Sequence, residues 1–142
     1  MSGEPARVIM PIIAVDSVQH VEDFYTRLLG FTRTMGVAGP DGQLGMATVV
    51  LDGARIMFSR PRAGADPVRR PAEKHAVEIY LEVADVEAYH VKLQQRGIDI
   101  CDPLTLQWWG DRTFKIRDPN GYELWFYQKV GAPRPPQGVK LV

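Results

Sequence analysis

Hydrophobic positions along the chain follow two periods, and the pair of periods occurs twice. Val8 to Val15 is a β-rich apolar run. After Asp16-Ser17, Val21, Phe24, Tyr25 and Leu28 fall at helical spacing until Gly30. The pattern predicts a strand over 8–15 and a helix over 17–29, capped by Asp16 or Ser17. Short strands are expected at 31–37, 45–51 and 54–59. They are separated by Gly39-Pro40-Asp41-Gly42 and by the two-residue hairpin signal Asp52-Gly53. Arg60 to Lys74, with three prolines and mixed charge, has neither period and reads as a surface linker. Then come a strand at 76–83, a helix at 85–96 with Val86, Tyr89 and Leu93 on one side, and strands at 98–100, 112–117 and 122–128. Gly131 to Val142, with three more prolines, reads as a loose tail.

The order strand, helix, three strands is thus written twice. Val15-Asp16-Ser17-Val18, Gly30-Phe31 and Asp52-Gly53 recur as Val83-Ala84-Asp85-Val86, Gly97-Ile98 and Asn120-Gly121, at offsets of 68, 67 and 68 positions. Two long copies describe a duplicated supersecondary module. A solenoid needs three or more short units. The fold class expected is α+β: two tandem βαβββ modules forming a curved mixed sheet around a cleft. One domain spans 1–142, with module one at 7–60, a linker at 61–74, module two at 75–128 and a tail at 129–142.

Strand alternation separates two faces. Ile9 and Ile13, Ile56 and Phe58, Val77, Ile79 and Leu81, and Tyr122, Leu124 and Phe126 should cover the helices. The opposite faces carry Val8, Met10 and Ile12; Arg55, Met57 and Ser59; Ala76, Glu78 and Tyr80; and Glu123, Trp125 and Tyr127. Charge, aromatic rings and thioethers mixed on one face suit the lining of a cleft or an interface with a second subunit.

Composition narrows the partners. With 142 residues, 45% of them hydrophobic, one domain can bury a full core. Lysine plus arginine and aspartate plus glutamate number 17 each, so no general positive field gathers phosphates, and nucleic acid is not expected as a partner. The single cysteine, Cys101, excludes an internal disulfide. The opening residues lack the apolar core of a signal peptide, and Val8 to Val15 is too short to span a bilayer. A soluble, cytoplasmic protein with no membrane partner is the expectation.

The motifs resemble a family. Val15-Asp16-Ser17-Val18 with Phe24-Tyr25 and Leu28-Leu29-Gly30-Phe31, the doubled module, and Trp109-Gly110-Asp111-Arg112-Thr113-Phe114 followed by Arg117-Asp118-Pro119-Asn120-Gly121-Tyr122 are similar to the vicinal oxygen chelate superfamily. That superfamily includes glyoxalase I, extradiol dioxygenases, fosfomycin-modifying enzymes and bleomycin-resistance proteins. The resemblance implies four metal-ligand positions, which fall here on Met10, Met57, Glu78 and Trp125. Histidine, glutamate and glutamine, the usual ligands of hard and borderline divalent ions, are missing from three of the four. No metal and no cofactor are expected. His20 and His90 fall on the helices and His75 on the wrong strand parity, so they do not supply replacements. Cys101 has no histidine near in sequence to activate it.

What remains is a cup of aromatic and sulfur groups with a few charges. Trp125, Tyr80 and Tyr127 can stack on a flat or cationic molecule, Met10 and Met57 can adapt to it, and Glu78 and Glu123 can meet a positive group. Trp109 overhangs from the preceding loop, and Arg112 can bind an anion or pair with Asp111 or Glu123. The function expected is metal-free binding of an aromatic or cationic small molecule by a homodimer resembling bleomycin-resistance proteins. The alternative is a glyoxalase- or dioxygenase-like enzyme with displaced metal ligands, or with Glu78 as a base in an apolar pocket.

Overall fold

Both helices begin where a side-chain oxygen supplies a missing acceptor. Ser17 Oγ accepts from the His20 amide at 3.2 Å, and Asp85 Oδ1 accepts from the Ala88 amide at 3.0 Å. α1 (Val18–Asp23) and α2 (Val86–Gln95) follow from these caps. They belong to a computed structural model that describes residues 9–60 and 77–142. Val8, His75, Ala76 and the linker at 61–74 lie outside the described residues.

The chain divides into two compact units between residues 68 and 69, within the stretch read as linker. The first holds β1 (Ile12–Ala14), α1, β2 (Thr32–Ala38), β3 (Leu44–Leu51) and β4 (Ala54–Ser59). Its sheet has the order β1-β4-β3-β2, with β1 parallel to β4 and the other pairs antiparallel. The second holds β5 (Ile79–Glu82), α2, β6 (Asp102–Leu106), β7 (Asp111–Arg117) and β8 (Glu123–Lys129). Its order β5-β8-β7-β6, with β5 parallel to β8, repeats the first. Ile12 pairs with Met57 in one unit and Tyr80 with Trp125 in the other, so the duplication holds at the level of register. These are the two βαβββ modules of an α+β fold.

Each helix covers the apolar face of its own sheet. α1 packs on β3 and β4, and α2 on β7 and β8. Ile13, Val49, Ile56 and Phe58 are buried in the first unit; Leu81, Phe114, Leu124 and Phe126 are buried in the second. Ile9 and Val77 depart from the expected alternation. They are 86% and 60% exposed because both precede the ladders that would hold them on the helix side.

Among the boundaries that differ from the sequence pattern, which include a second-unit first strand confined to Ile79–Glu82, three have a plain local cause. The first strand covers three residues, not eight: Pro11 has no amide to give, and pairing begins with its carbonyl, which accepts from the Met57 amide at 2.9 Å. The first helix becomes π-helical over Phe24–Leu28, where the Leu29 amide reaches the Phe24 carbonyl at 3.3 Å. That widening seats the fully buried Tyr25 against Phe31 and Phe58, ring centroids 5.2 and 4.8 Å away. No strand forms at 98–100. Ile98 is spent closing α2, its amide bonding the Leu93 carbonyl at 3.1 Å beside a left-handed Gly97, and pairing resumes only when the Cys101 amide meets the Lys115 carbonyl.

The turn at Asp118-Pro119-Asn120-Gly121 is built around one buried carboxylate. Asp118 Oδ1 accepts from the amides of Asn120 and Tyr122, each at 2.9 Å, which sets the β7–β8 register. The tail is not wholly loose. The Val130 and Gly131 amides donate to the Gly110 carbonyl at 3.0 and 3.1 Å, and the Arg134 amide to the Trp108 carbonyl at 2.6 Å.

Candidate functional site

The side of the second sheet away from α2 presents an aromatic array. β5 and β8 run parallel with Tyr80 opposite Trp125 and Glu82 opposite Tyr127, so all four project to one side. The Tyr80 and Tyr127 rings stack with centroids 4.3 Å apart and 18° between planes. Trp125 lies 6.0 Å from Tyr80 at 52°. Such offset and tilted contacts satisfy the ring quadrupoles while leaving ring edges and faces open.

A chain of hydrogen bonds holds the array. Trp109 Nε1 donates to the Tyr80 hydroxyl at 2.9 Å, and that hydroxyl donates to Asp111 Oδ2 at 2.7 Å. Burial pushes the Tyr80 phenol up to about 12; the Trp109 donor offsets this in part and the Asp111 acceptor reinforces it. Trp125 Nε1 donates to Glu78 Oε1 at 2.9 Å. The indole is thereby fixed in orientation, and Glu78 keeps its second carboxylate oxygen on an exposed residue.

Lys115 was not anticipated, although the β7–β8 hairpin places it directly opposite Trp125. Its ammonium stands 4.9 Å from the centroid of the Trp125 ring. It also donates to Glu123 Oε2 at 2.7 Å and pairs with Asp102 at 3.1 Å. Burial alone would lower the Lys115 pKa, but the hydrogen bonds to Glu123 and Asp102 and their charges outweigh it and raise the value. The lysine is thus a resident cation on one side of the indole.

Two expected contacts change character. Glu123 shares the face with Trp125, yet it is buried and held by Lys115 and, at 3.7 Å, by Arg117, so its charge is spent inside the protein. Arg112 leaves the face altogether. It stands opposite Gln128, whose Oε1 accepts from the Val86 amide, and it pairs with Glu87 of α2 rather than with Asp111 or Glu123.

In the first unit, Met57 lies between Ile12 and Thr48 across the two neighbouring strands, and Met10 precedes β1; both are half-buried. His20 sits exposed on α1. His90 on α2 is half-buried and packs edge-on against Phe114 at 5.0 Å, a packing role at the helix–sheet seam. Cys101 is a free cysteine, exposed as a residue, and partial desolvation of its sulfur raises the thiol pKa, the reverse of a nucleophile's requirement.

The four positions that the fold family implies as metal ligands do not fit a divalent ion. Met10 and Met57 offer thioethers, and Trp125 offers an N–H donor with no lone pair, here directed at the only carboxylate of the set, Glu78. Among the described residues, no group of three histidine, cysteine, aspartate or glutamate side chains gathers to hold a metal. None of the helices in the described residues is long and apolar enough to cross a membrane.

Known proteins share this plan. Uncharacterized protein Rv0887c of Mycobacterium tuberculosis is 30% identical over 123 residues, 84% of this chain and 71% of its own length. The crystal structure of TioX from Micromonospora sp. ML1 superposes with a TM-score of 0.70 at 22% identity, covering 88% of this chain and all of TioX. TnmS3, an antibiotic binding protein from Streptomyces sp. CB03234, gives 0.69 at 21% identity over 90% of this chain and 99% of its own. At such identities the two structures speak for the fold alone. The sequence model of the Glyoxalase/Bleomycin resistance protein/Dioxygenase superfamily matches residues 7–126, from before the first strand to within the last. The doubled module and its repeated register are those of that superfamily, and the chain belongs to it.

Proposed function

We propose that the protein binds a small flat molecule, aromatic or cationic, on the second sheet, and that it does so without catalysing a reaction. The observation that carries this reading is the array of Tyr80, Tyr127 and Trp125, with stacked and tilted rings and Tyr80 44% exposed. A ligand ring extends this stack, Trp109 borders it, and the free oxygen of Glu78 meets a positive group. Because Lys115 already occupies one side of Trp125, the ligand takes the remaining ring surface. Met10 and Met57 enter the reading only through the family pattern. TnmS3 is an antibiotic binding protein of the same fold, which supports small-molecule capture as the class of function.

The catalytic alternative requires Glu78 enclosed in an apolar pocket. The residue is exposed and its Oε1 accepts from the Trp125 indole, so binding is the better-supported reading. A homodimer in the cytoplasm belongs to the same proposal; the exposed Ile12 on the edge strand β1 supports the assembly, and light scattering in solution tests it.

The direct test is tryptophan fluorescence titrated with planar dyes of matched size and different charge, such as proflavine, anthracene-methanol and anthracene-carboxylate. Quenching that saturates with proflavine, and weakens at least fivefold in Trp125→Ala, is expected. If no planar dye quenches at millimolar concentration, the binding reading is wrong.

A further inference from the structure

Trp108 and Trp109 are neighbours in sequence, with rings at 89° and centroids 5.5 Å apart. Trp109 bonds to Tyr80, while Trp108 lines a groove of about 490 Å³ with Leu106, Arg112, Val130, Ala132 and Arg134. Leu106 stands opposite Arg112, and Arg112 pairs with Glu87 of α2. The groove is therefore associated with the helix-covered side of the sheet, and the aromatic array with the other side. It depends on the tail: without the bonds from Val130, Gly131 and Arg134 to Gly110 and Trp108, one wall would be missing.

The lining is amphipathic in one sense. Leu106 is 56% exposed and Val130 44%, so two aliphatic side chains and an indole face an open space of small-molecule size. The groove's two formal charges are both arginines. Glu87 neutralises Arg112, whereas no carboxylate lies within ion-pair reach of the Arg134 guanidinium among the described residues. One uncompensated planar cation beside apolar walls matches a singly charged anion with an apolar body.

We propose that this groove is a second binding site, for a small amphipathic carboxylate. The apolar body lies against Trp108, Leu106 and Val130, and the carboxylate takes a bidentate pair of hydrogen bonds from Arg134. The site is independent of the reading given to the aromatic array. If that array binds nothing, the groove is unaffected.

The test uses 2-naphthoate and its neutral analogue 2-naphthalenemethanol on the full chain, followed by calorimetry and by the indole N–H signals of the three tryptophans. Naphthoate should bind at least tenfold more tightly than the alcohol and should shift the Trp108 signal most. Arg134→Gln should remove that preference by costing naphthoate roughly tenfold, the scale of a charge-assisted hydrogen bond. Tyr127→Ala, which strips the other face without removing the Tyr80 bond to Trp109, should leave naphthoate affinity unchanged. Three results would overturn the proposal: no naphthoate binding at millimolar concentration, equal binding of acid and alcohol, or shifts centred on Trp125 that Tyr127→Ala removes.

Discussion

Trp125 donates its indole hydrogen to Glu78 while the Lys115 ammonium rests on its ring, so one side chain is held by an anion at its edge and a cation at its face. Trp125→Phe keeps the ring and loses the donor. Glu78 is then released, and cationic planar ligands should lose about threefold to tenfold in affinity, less than in Trp125→Ala, on the scale of an aromatic contact plus a charge-assisted bond. Calorimetric titration of proflavine into the three proteins checks the order.

The ion pair beneath that ring is worth more to stability than a surface pair. Glu123 is buried and Lys115 nearly so, with side-chain exposures of 8% and 13%. Lys115→Met removes the closer of the two cations that balance the carboxylate's charge, and should cost about 2–3 kcal/mol by urea denaturation. Lys115→Met with Glu123→Leu should recover most of the loss, because no charge is left buried without its partner.

Alkaline pH should weaken the fold through Tyr80. Its folded pKa is raised to about 12 against an ordinary value of 10.0, so its contribution is whole below about pH 10 and is lost as pH rises through about 12. Burial raises Tyr89 and Tyr127 in the same sense. Tyr80→Phe should therefore lose less stability than the parent between about pH 10 and pH 11.5. Urea midpoints at the two pH values give the comparison, and an equal loss in both proteins would remove Tyr80 from the account.

Gly110 and Gly131 answer differently to one methyl group. At Gly110, with φ +98°, a Cβ would stand 2.2 Å from the Gly131 carbonyl oxygen; at Gly131 it would meet nothing within 4 Å. Gly110→Ala should cost at least about 1–3 kcal/mol and detach the tail from the tryptophan loop, while Gly131→Ala should be nearly neutral. Thermal melts and protease sensitivity near residue 131 report both effects.

Asp118→Ala should cost about 2 kcal/mol, since it strips the acceptor from two amides in a closed turn. Thermal denaturation checks it, with Asp118→Asn, which keeps an acceptor oxygen, expected to fall between the two.

Much of the fold was legible because apolar spacing and turn chemistry agree: the Ser17 cap, the helix start at Asp85, the Asp52-Gly53 turn and the core residues Ile13, Ile56, Phe58, Leu81, Leu124 and Phe126 lie where periodicity and capping place them. The misreadings have local causes. Pro11 shortens a strand whose residues are otherwise β-formers, and Ile98 looks like a strand residue but is consumed in closing a helix. On the site face, parity correctly grouped Tyr80, Trp125 and Tyr127. It could not show that Glu123 is already paired, since that depends on which residue stands across the hairpin. Carrying the register through the Asn120-Gly121 turn places Arg117 opposite Glu123 and Lys115 opposite Trp125, one pair further along the same face, which would have revealed it. Arg112 was misplaced for a different reason: its partner Glu87 is on a helix, and strand counting is silent about helices.

The tail is fastened to the tryptophan loop through main-chain amides at Val130, Gly131 and Arg134. Apart from Gly110, which has no room for a Cβ, a seam sewn with backbone reads almost no side-chain identity, so substitutions at Val130, Ala132 and Arg134 can redecorate the groove wall while the loop bearing Trp109 keeps its place. For anyone handling the protein, truncation after Lys129 unpicks that seam.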